Sequence, residues 1–372
     1  MEKILTIGTL LRTAIGTRSA VINPQEAQAL SAITAQEWSQ LLDYAKQHKV
    51  AAVALDGLQK ICDSNPDLKL TIMEPEQKAL RHKWYSTDVW ARRRYQERLQ
   101  VIRSLTGFYA GHNIRTMVLK GYGLCQEYPI PEHRRYSDVD IYLFGNARLA
   151  DQLLLREKGI KADTDSVKHS HFSVGKVSVE NHYFFLNSRR IPKLKLADSN
   201  LMLLAGDSTP DSDTGCLLPS VAFNAQFLPL HTAIHFVLGR ATLSHLLDWA
   251  LFLKNHSNQV EWSQLMVSSG YAGCIRFVGM LSMAAAEFFD LTGITLPVTS
   301  ATKEDVEWLM SELDNPLPHF SHEMSLSAII RNHIIRSKRF RRVFKSSYIV
   351  SAFRTLQSGY KLSDFDEEDE EQ

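Results

Sequence analysis

The sequence predicts an α+β protein, with a small mixed β-sheet core flanked by N-terminal helices and a C-terminal helical region. Three observations predict it. Helical signals fill the first hundred or so residues, short apolar and alternating runs occupy 114 to about 187, and helical patterning returns from about Pro229. At 372 residues and 44% hydrophobic content the chain has ample material for a core.

The elements follow in order. Asn23-Pro24 reads as an N-cap with proline in the first helical turn, and Thr34 with Glu37 reads as a capping box opening "AQEWSQLLDYAKQHK". The break "DSNPDLKL" precedes a long helix that starts near Pro75 and ends at about Ala110. "IRTMVLK" (114–120) is a short apolar run closing on Lys120-Gly121, with the helix-like "YGLCQEY" after it. "SDVDIYLF" is the next strand. "NARLADQLLLREKG" is a helix with Asn146 at its N-cap and Gly159 at its C-cap. "HSHFSVG" and "KVSVENHYFFL" form a hairpin turning at Gly175. "AGDSTPDSDTGCLLP" reads as a polar loop, and the tail "DFDEEDEEQ" as a disordered like-charge block. The expected divisions are an N-terminal helical region (1–112), the core (113–205), a C-terminal helical region (206–362) and the acidic tail (363–372).

Bulk properties exclude several classes. The formal net charge is +1, so the molecule as a whole is not built to bind nucleic acid or a membrane surface. Cys62, Cys125, Cys216 and Cys274 show no metal-ligand spacing, so reduced core thiols are expected. The N-terminal run lacks signal-peptide features, and the most apolar later run, 277–289, is too short to span a bilayer. A cytoplasmic protein with no membrane partner is the expectation. Walker A, GxGxxG and GxSxG patterns do not occur.

The chemistry is concentrated in "RRYSDVDIYL" (134–143). Alternation along a strand puts Asp138 and Asp140 on one face, where their charges repel unless a cation lies between them. Mg²⁺ suits that position, because it takes hard oxygen ligands from one or two carboxylates and keeps sites for water and phosphate. Taken alone, the pair has a plainer explanation as incidental aspartates on a solvent-facing edge strand. Its neighbours add weight to the metal reading. Lys120-Gly121 closes the preceding strand at a turn of the kind that holds phosphate. Ser178, Glu180 and His182 share one face of a later strand, so Glu180 is a candidate third acid. Arg134 and Arg135 can bind phosphate or pair with the acids.

This order of turn, two-aspartate strand and third acid resembles the DNA polymerase β-like nucleotidyltransferase superfamily. Within it the likeness is to a bacterial family of uncharacterised nucleotidyltransferases with a Lys-Gly turn. "MVLKGYGLCQEYP", "RRYSDVDIYL", "VENHYFF" and "LLDWALFLKN" carry the likeness, which spans about 114 to 290. Two departures stand out: the superfamily's commoner turn is Gly-Ser, and its third-acid motif usually reads Glu-Leu-His where this chain has Glu180-Asn181-His182.

The resemblance implies transfer of a nucleoside monophosphate from an NTP to an unidentified acceptor, by a two-metal mechanism using Mg²⁺ or Mn²⁺. Asp138 and Asp140 would hold both metals. Glu180 would hold the one nearer the nucleophile and could also assist as base. Lys120, Gly121, Arg134, Arg135 and His182 would position the nucleotide. A small molecule or protein is favoured over nucleic acid as acceptor. The alternatives are a catalytically inactive nucleotide-binding or protein-interaction module of the same fold, and an antitoxin-like AMP transferase acting on a protein.

Other candidates have structural explanations beside functional ones. Asp248 can line the cleft or cap a helix. His231 and His235, at i and i+4, can make core contacts or hold a metal. His169 and His171 flank the hairpin. The basic run 331–345 can meet a polyanion or form a solvated helix face.

Overall fold

A computed structural model describes residues 3–347, apart from 167, 187, 189, 190, 269, 270, 272, 316 and 318–324. The expected acidic tail lies outside the described residues. Five helices come first: α1 (Lys3–Ala14), α2 (Pro24–Ser31), α3 (Ala35–Gln47), α4 (Ala51–Ser64) and α5 (Lys78–Ala110). The start of α2 is fixed by a reciprocal capping box between Asn23 and Glu26, and that of α3 by one between Thr34 and Glu37. Helix α4 has Gly57 where it meets α1. A Cβ there would stand 1.9 Å from the Leu10 carbonyl oxygen, so only glycine lets the two backbones close.

The middle of the chain supplies β1 (Met117–Val118), α6 (Lys120–Gly123), β2 (Val139–Tyr142), α7 (Ala147–Lys158), β3 (His169–Val174) and β4 (Val177–His182). Gly159 ends α7 in the left-handed conformation, at φ 67°. Asn146 stands at the other end of α7 but makes no side-chain cap; its amide donates to the Leu143 carbonyl at 3.0 Å. After α8 (Lys195–Leu204) come β5 (Thr209–Pro210) and β6 (Leu217–Leu218), within the stretch expected to be loop alone. These two-residue strands complete a mixed six-stranded sheet in the order β3-β4-β2-β1-β6-β5. Their pairing is through backbone groups, which a polar sequence of glycine, serine and aspartate does not advertise.

The remaining helices are α9 (Val221–Val237), α10 (Leu243–His256), α11 (Trp262–Ser268), α12 (Ile275–Phe288), α13 (Lys303–Asp314) and α14 (Leu326–Phe344). Helix α9 begins eight residues before Pro229, which sits inside it. Proline has no N–H, so the Ala225 carbonyl loses its intrahelical donor. The Tyr271 hydroxyl donates to that oxygen at 2.8 Å.

Two apolar clusters hold the layers together. One joins Leu10, Trp38, Leu41 and Leu55 of the N-terminal helices to Phe227, Leu247, Trp249 and Met280 of the C-terminal helices. The other packs Leu99, Ile102 and Leu105 of α5 and Leu153 of α7 on Val118, Val139, Ile141 and Val179 of the sheet. The N- and C-terminal helical regions therefore share one core, and the sheet is lodged against it. The four cysteines are free thiols.

Candidate active site

Strand register brings the acids together. Strands β2 and β4 run parallel, with Asp140 opposite Glu180 and Tyr142 opposite His182. Adjacent strands lie about 4.8 Å apart, so the two carboxylates stand side by side on one face. His182 bridges them, with Nε2 at 2.9 Å from an Asp140 oxygen and 3.2 Å from a Glu180 oxygen. Lys120 adds an ammonium 3.3 Å from Asp140, and His169 lies 3.3 Å from Glu180. All of these side chains except Lys120 are buried.

These contacts set the protonation states. Burial works to raise the Asp140 carboxyl, but Lys120 and the His182 hydrogen bond hold it below the ordinary aspartate value. Burial opposes ionisation of Glu180 too, and the charges of His169 and His182 override it, leaving this acid well below its usual range. His182 loses by burial and gains more from the two carboxylates, so its pKa is raised. The result is two anions kept ionised inside the protein.

Asp138 stands one residue before β2 and accepts from the Ser137 hydroxyl at 2.9 Å. It lines the same cleft as Lys120, Gly121 and Asp140, a space of about 70 Å³ closed on the helical side by His231, His235, His245 and Asp248. Among the described residues, Glu180 and His182 are not part of that lining. They sit behind Asp140 and reach the cleft through it. Gly121 has φ 36° and ψ −112°, and a Cβ there would press on the Tyr136 ring at 3.0 Å. The turn therefore requires glycine twice over, by conformation and by space. The helix after it, α6, is only four residues long. Phosphate at this corner would rest on Lys120 and the turn backbone more than on a helix dipole.

The arginines divide. Arg134 is buried and grips Asp248 with two nitrogens, at 2.9 and 2.7 Å, while Tyr128 donates to the same carboxylate at 2.6 Å. This pair ties the loop before β2 to α10. Arg134 Nη1 is buried without a partner. Arg135 lines the cleft. The helical aspartate at 248 thus acts here as a partner for arginine.

His231 and His235 line the cleft from α9. His231 Nε2 lies 3.0 Å from the Lys120 ammonium and 3.1 Å from His235. Burial first, then Lys120, drives the His231 pKa far down, so the ring is neutral and accepts from the lysine. His245 from α10 completes a trio whose ligand atoms lie within 4.8 Å of one another, and His169, Glu180 and His182 form a second such group. The i,i+4 spacing of His231 and His235 is visible in sequence, but His245 and the link to Lys120 are not.

The Asn181 amide, at the departure from Glu-Leu-His, donates to Asp151 at 2.7 Å and pins α7 to β4. Part of the basic run 331–345 is tied into the structure, while Arg331, Arg341 and Lys345 are exposed. Arg339 bonds Glu312 and the Phe236 carbonyl, Arg342 bonds Asp305, and Phe340, Val343 and Phe344 are buried. On α5, Arg92 and Arg93 make exposed i,i+4 pairs with Asp88 and Glu97.

The donor set of the cleft suits a hard divalent cation: two carboxylate side chains two residues apart face one space, and Asp140 is kept ionised.

Comparison with known proteins gives the class to which the chain belongs. A family model described as "Uncharacterised nucleotidyltransferase" matches residues 34–290, well over half of the chain. The chain belongs to this uncharacterised nucleotidyltransferase family. The match begins at α3, so α3, α4 and α5 fall within it together with the sheet, and α1 and α2 lie before it. No curated protein and no solved structure matches the chain. No helix among the described residues is long and apolar enough to cross a membrane.

Proposed function

We propose that the protein transfers a nucleoside monophosphate from an NTP to an acceptor, with release of pyrophosphate, using Mg²⁺ or Mn²⁺ held by Asp138 and Asp140. The observation that carries this reading is the cleft in which those two carboxylates meet the Lys120-Gly121 turn, in a chain of a nucleotidyltransferase family. When bound, the metal would offset negative charge on the phosphoryl oxygens and the leaving pyrophosphate.

The chain's own groups have distinct tasks in this reading. Lys120 and the Gly121 backbone hold triphosphate oxygens. Lys120 also neutralises part of the Asp140 charge until substrate arrives, since its ammonium lies within 3.3 Å. His182 and Glu180 fix Asp140 from behind, so its carboxylate does not swing away from the cleft. The acceptor oxygen then bonds to the α-phosphorus as the bond to pyrophosphate breaks, and the acceptor's proton is released. Arg135 and the histidine wall line the space around the phosphates.

Calorimetric titration with Mg²⁺ and ATP or GTP tests the reading. The wild type should bind metal and nucleotide together, and Asp138→Ala/Asp140→Ala should not. Equal binding by both would show that the site is wrongly placed. Incubation of wild type with α-labelled NTPs and cell extract should give Mg²⁺-dependent label transfer. Nucleotide binding without any transfer would favour a non-catalytic binding module.

A further inference from the structure

Beside the cleft lies a second cavity, of about 310 Å³, between the α3–α4 corner, α5 and the loop 131–136. We propose that this cavity binds the acceptor, and that the acceptor is a ring-bearing anion. The assignment of the bound molecule as acceptor rests on the nucleotidyl-transfer reading of the adjoining cleft.

Position is the first ground. Lys49, Arg134, Arg135 and Tyr136 line both spaces, whereas Lys120, Gly121, Asp138 and Asp140 line the cleft alone. The two spaces are therefore neighbours bounded by the same four residues. Its volume is at the lower end of small-molecule sites.

Charge is the second. Six lysine and arginine side chains line the cavity with one carboxylate, Glu132; of the six, Arg134 is paired with Asp248 outside it and Arg98 with the Ser137 carbonyl. Among the described residues, Lys46 and Arg94 make no ion pair. A concave surface with such an imbalance attracts anions.

Unsatisfied donors are the third. Arg134 is 8% exposed, and its Nη1 has no hydrogen-bond partner; the Tyr136 hydroxyl is also buried without one. Buried donors left in this state are costly, and both residues line the cavity, where a small shift of either side chain would let an anionic oxygen satisfy it.

Shape is the fourth. Trp90 lines the cavity while 56% exposed, an unusual placing for a large aromatic. Ala51 and Ala52, which also line it, have nothing beyond Cβ and leave room for a flat ring.

Backbone strain is the fifth. Lys49 takes φ 59° at the α3–α4 corner, where glycine would be the easy residue. A lysine held there places its charge in the wall common to both spaces.

Phenyl phosphate, a ring with one phosphate, serves as probe, titrated calorimetrically into the full chain. It is titrated alone and again with Mg²⁺ and a non-hydrolysable ATP analogue. Wild type should bind it in a saturable one-to-one manner, and the ATP analogue should not compete. Trp90→Ala and Lys46→Glu change exposed side chains, and each should weaken the probe by about tenfold with an unchanged melting temperature. Lys49→Gly suits the left-handed backbone and should also weaken the probe while the fold is kept. Absent binding in wild type, undiminished binding in the variants, or competition by the ATP analogue would each overturn the proposal; competition would mean that nucleotide fills the cavity. The Asp138→Ala/Asp140→Ala variant separates the two readings. It should lose metal–nucleotide binding and keep the probe. Wild type that binds the probe but never nucleotide would sink the nucleotidyl-transfer reading and the acceptor role together, leaving an anion site.

Discussion

The cleft and the cavity have four residues in common and are built on opposite electrostatic plans. In the cleft and behind it, charges meet partners within the protein: Asp140 has Lys120 and His182, and Glu180 has His169 and His182. In the cavity six cations and one carboxylate line the space; Arg134 is held by Asp248 and Arg98 by backbone carbonyls, while among the described residues Lys46 and Arg94 make no ion pair. The difference follows from burial. Asp140 and Glu180 are sealed among strands, where an unpaired charge would be prohibitively expensive. The cavity opens towards solvent, which tolerates an excess of one sign until a ligand replaces the water. One region holds its charges in pairs within the protein, and the other keeps at Lys46 and Arg94 cations that a ligand can meet.

The wall common to both should give the largest effect. Asp248→Ala would leave Arg134 buried without its carboxylate, at a cost of about 3–5 kcal/mol of folding stability, read by urea denaturation. Replacing both partners, as Arg134→Met/Asp248→Leu, should recover much of that loss. A double variant no more stable than Asp248→Ala would show that the wall does not depend on this pair.

Next comes the anionic side. Asp140→Asn keeps size and hydrogen bonding but removes the charge, and should lower label transfer by about 10²–10³-fold with the chain still folded. A transfer rate within a fewfold of wild type would place the chemistry elsewhere.

A pH effect should follow from the cavity wall. His133 is buried between Asp56 and Asp88, with nitrogen–oxygen distances of 2.8 and 2.7 Å. Burial pulls its pKa down, but the two carboxylates pull harder, so the folded value is raised. A raised histidine stabilises the fold fully below the unfolded value of about 6.5. That contribution fades as pH rises through the folded value. The slope cannot exceed about 1.4 kcal/mol per pH unit for one proton. Melting curves between pH 5 and 9 should show this decline in wild type and a flatter profile in His133→Gln. Parallel profiles would remove the charged triad from the account.

The smallest effect belongs to the strained corner. Lys49→Gly relieves a left-handed lysine and should raise stability by about 1 kcal/mol, partly offset by the freer unfolded chain. A clear destabilisation would mean that the Lys49 side chain holds the fold together rather than serving the two spaces.

Much of the fold was legible because local rules govern it. The N-cap at Asn23, the capping box at Thr34, the left-handed Gly159 and the hairpin at Gly175 involve residues a few positions apart. The misreadings share one cause. Pro229 reads locally as a helix start, yet it sits within α9 because Tyr271, far along the chain, takes up the carbonyl that proline leaves open. The strands at Thr209 and Leu217 exist because β1 offers an edge to β6, and β6 in turn pairs with β5.

The candidate site divides in the same way. Sequence alone named the chemical candidates: two aspartates two positions apart, a Lys-Gly turn, and an acid and histidine on one strand face. Alternation along a strand has a fixed period, so those facts are written in the order of residues. Tertiary structure decided what each does for its neighbours. Parallel register set Glu180 beside Asp140, His182 came between them, His231 arrived from α9 to meet Lys120, and Asp248 claimed Arg134. It also formed the basic cavity, whose lining comes from three separate stretches of chain. Electrostatic partnership depends on distance in space, and no spacing along the sequence encodes that distance until the core has packed.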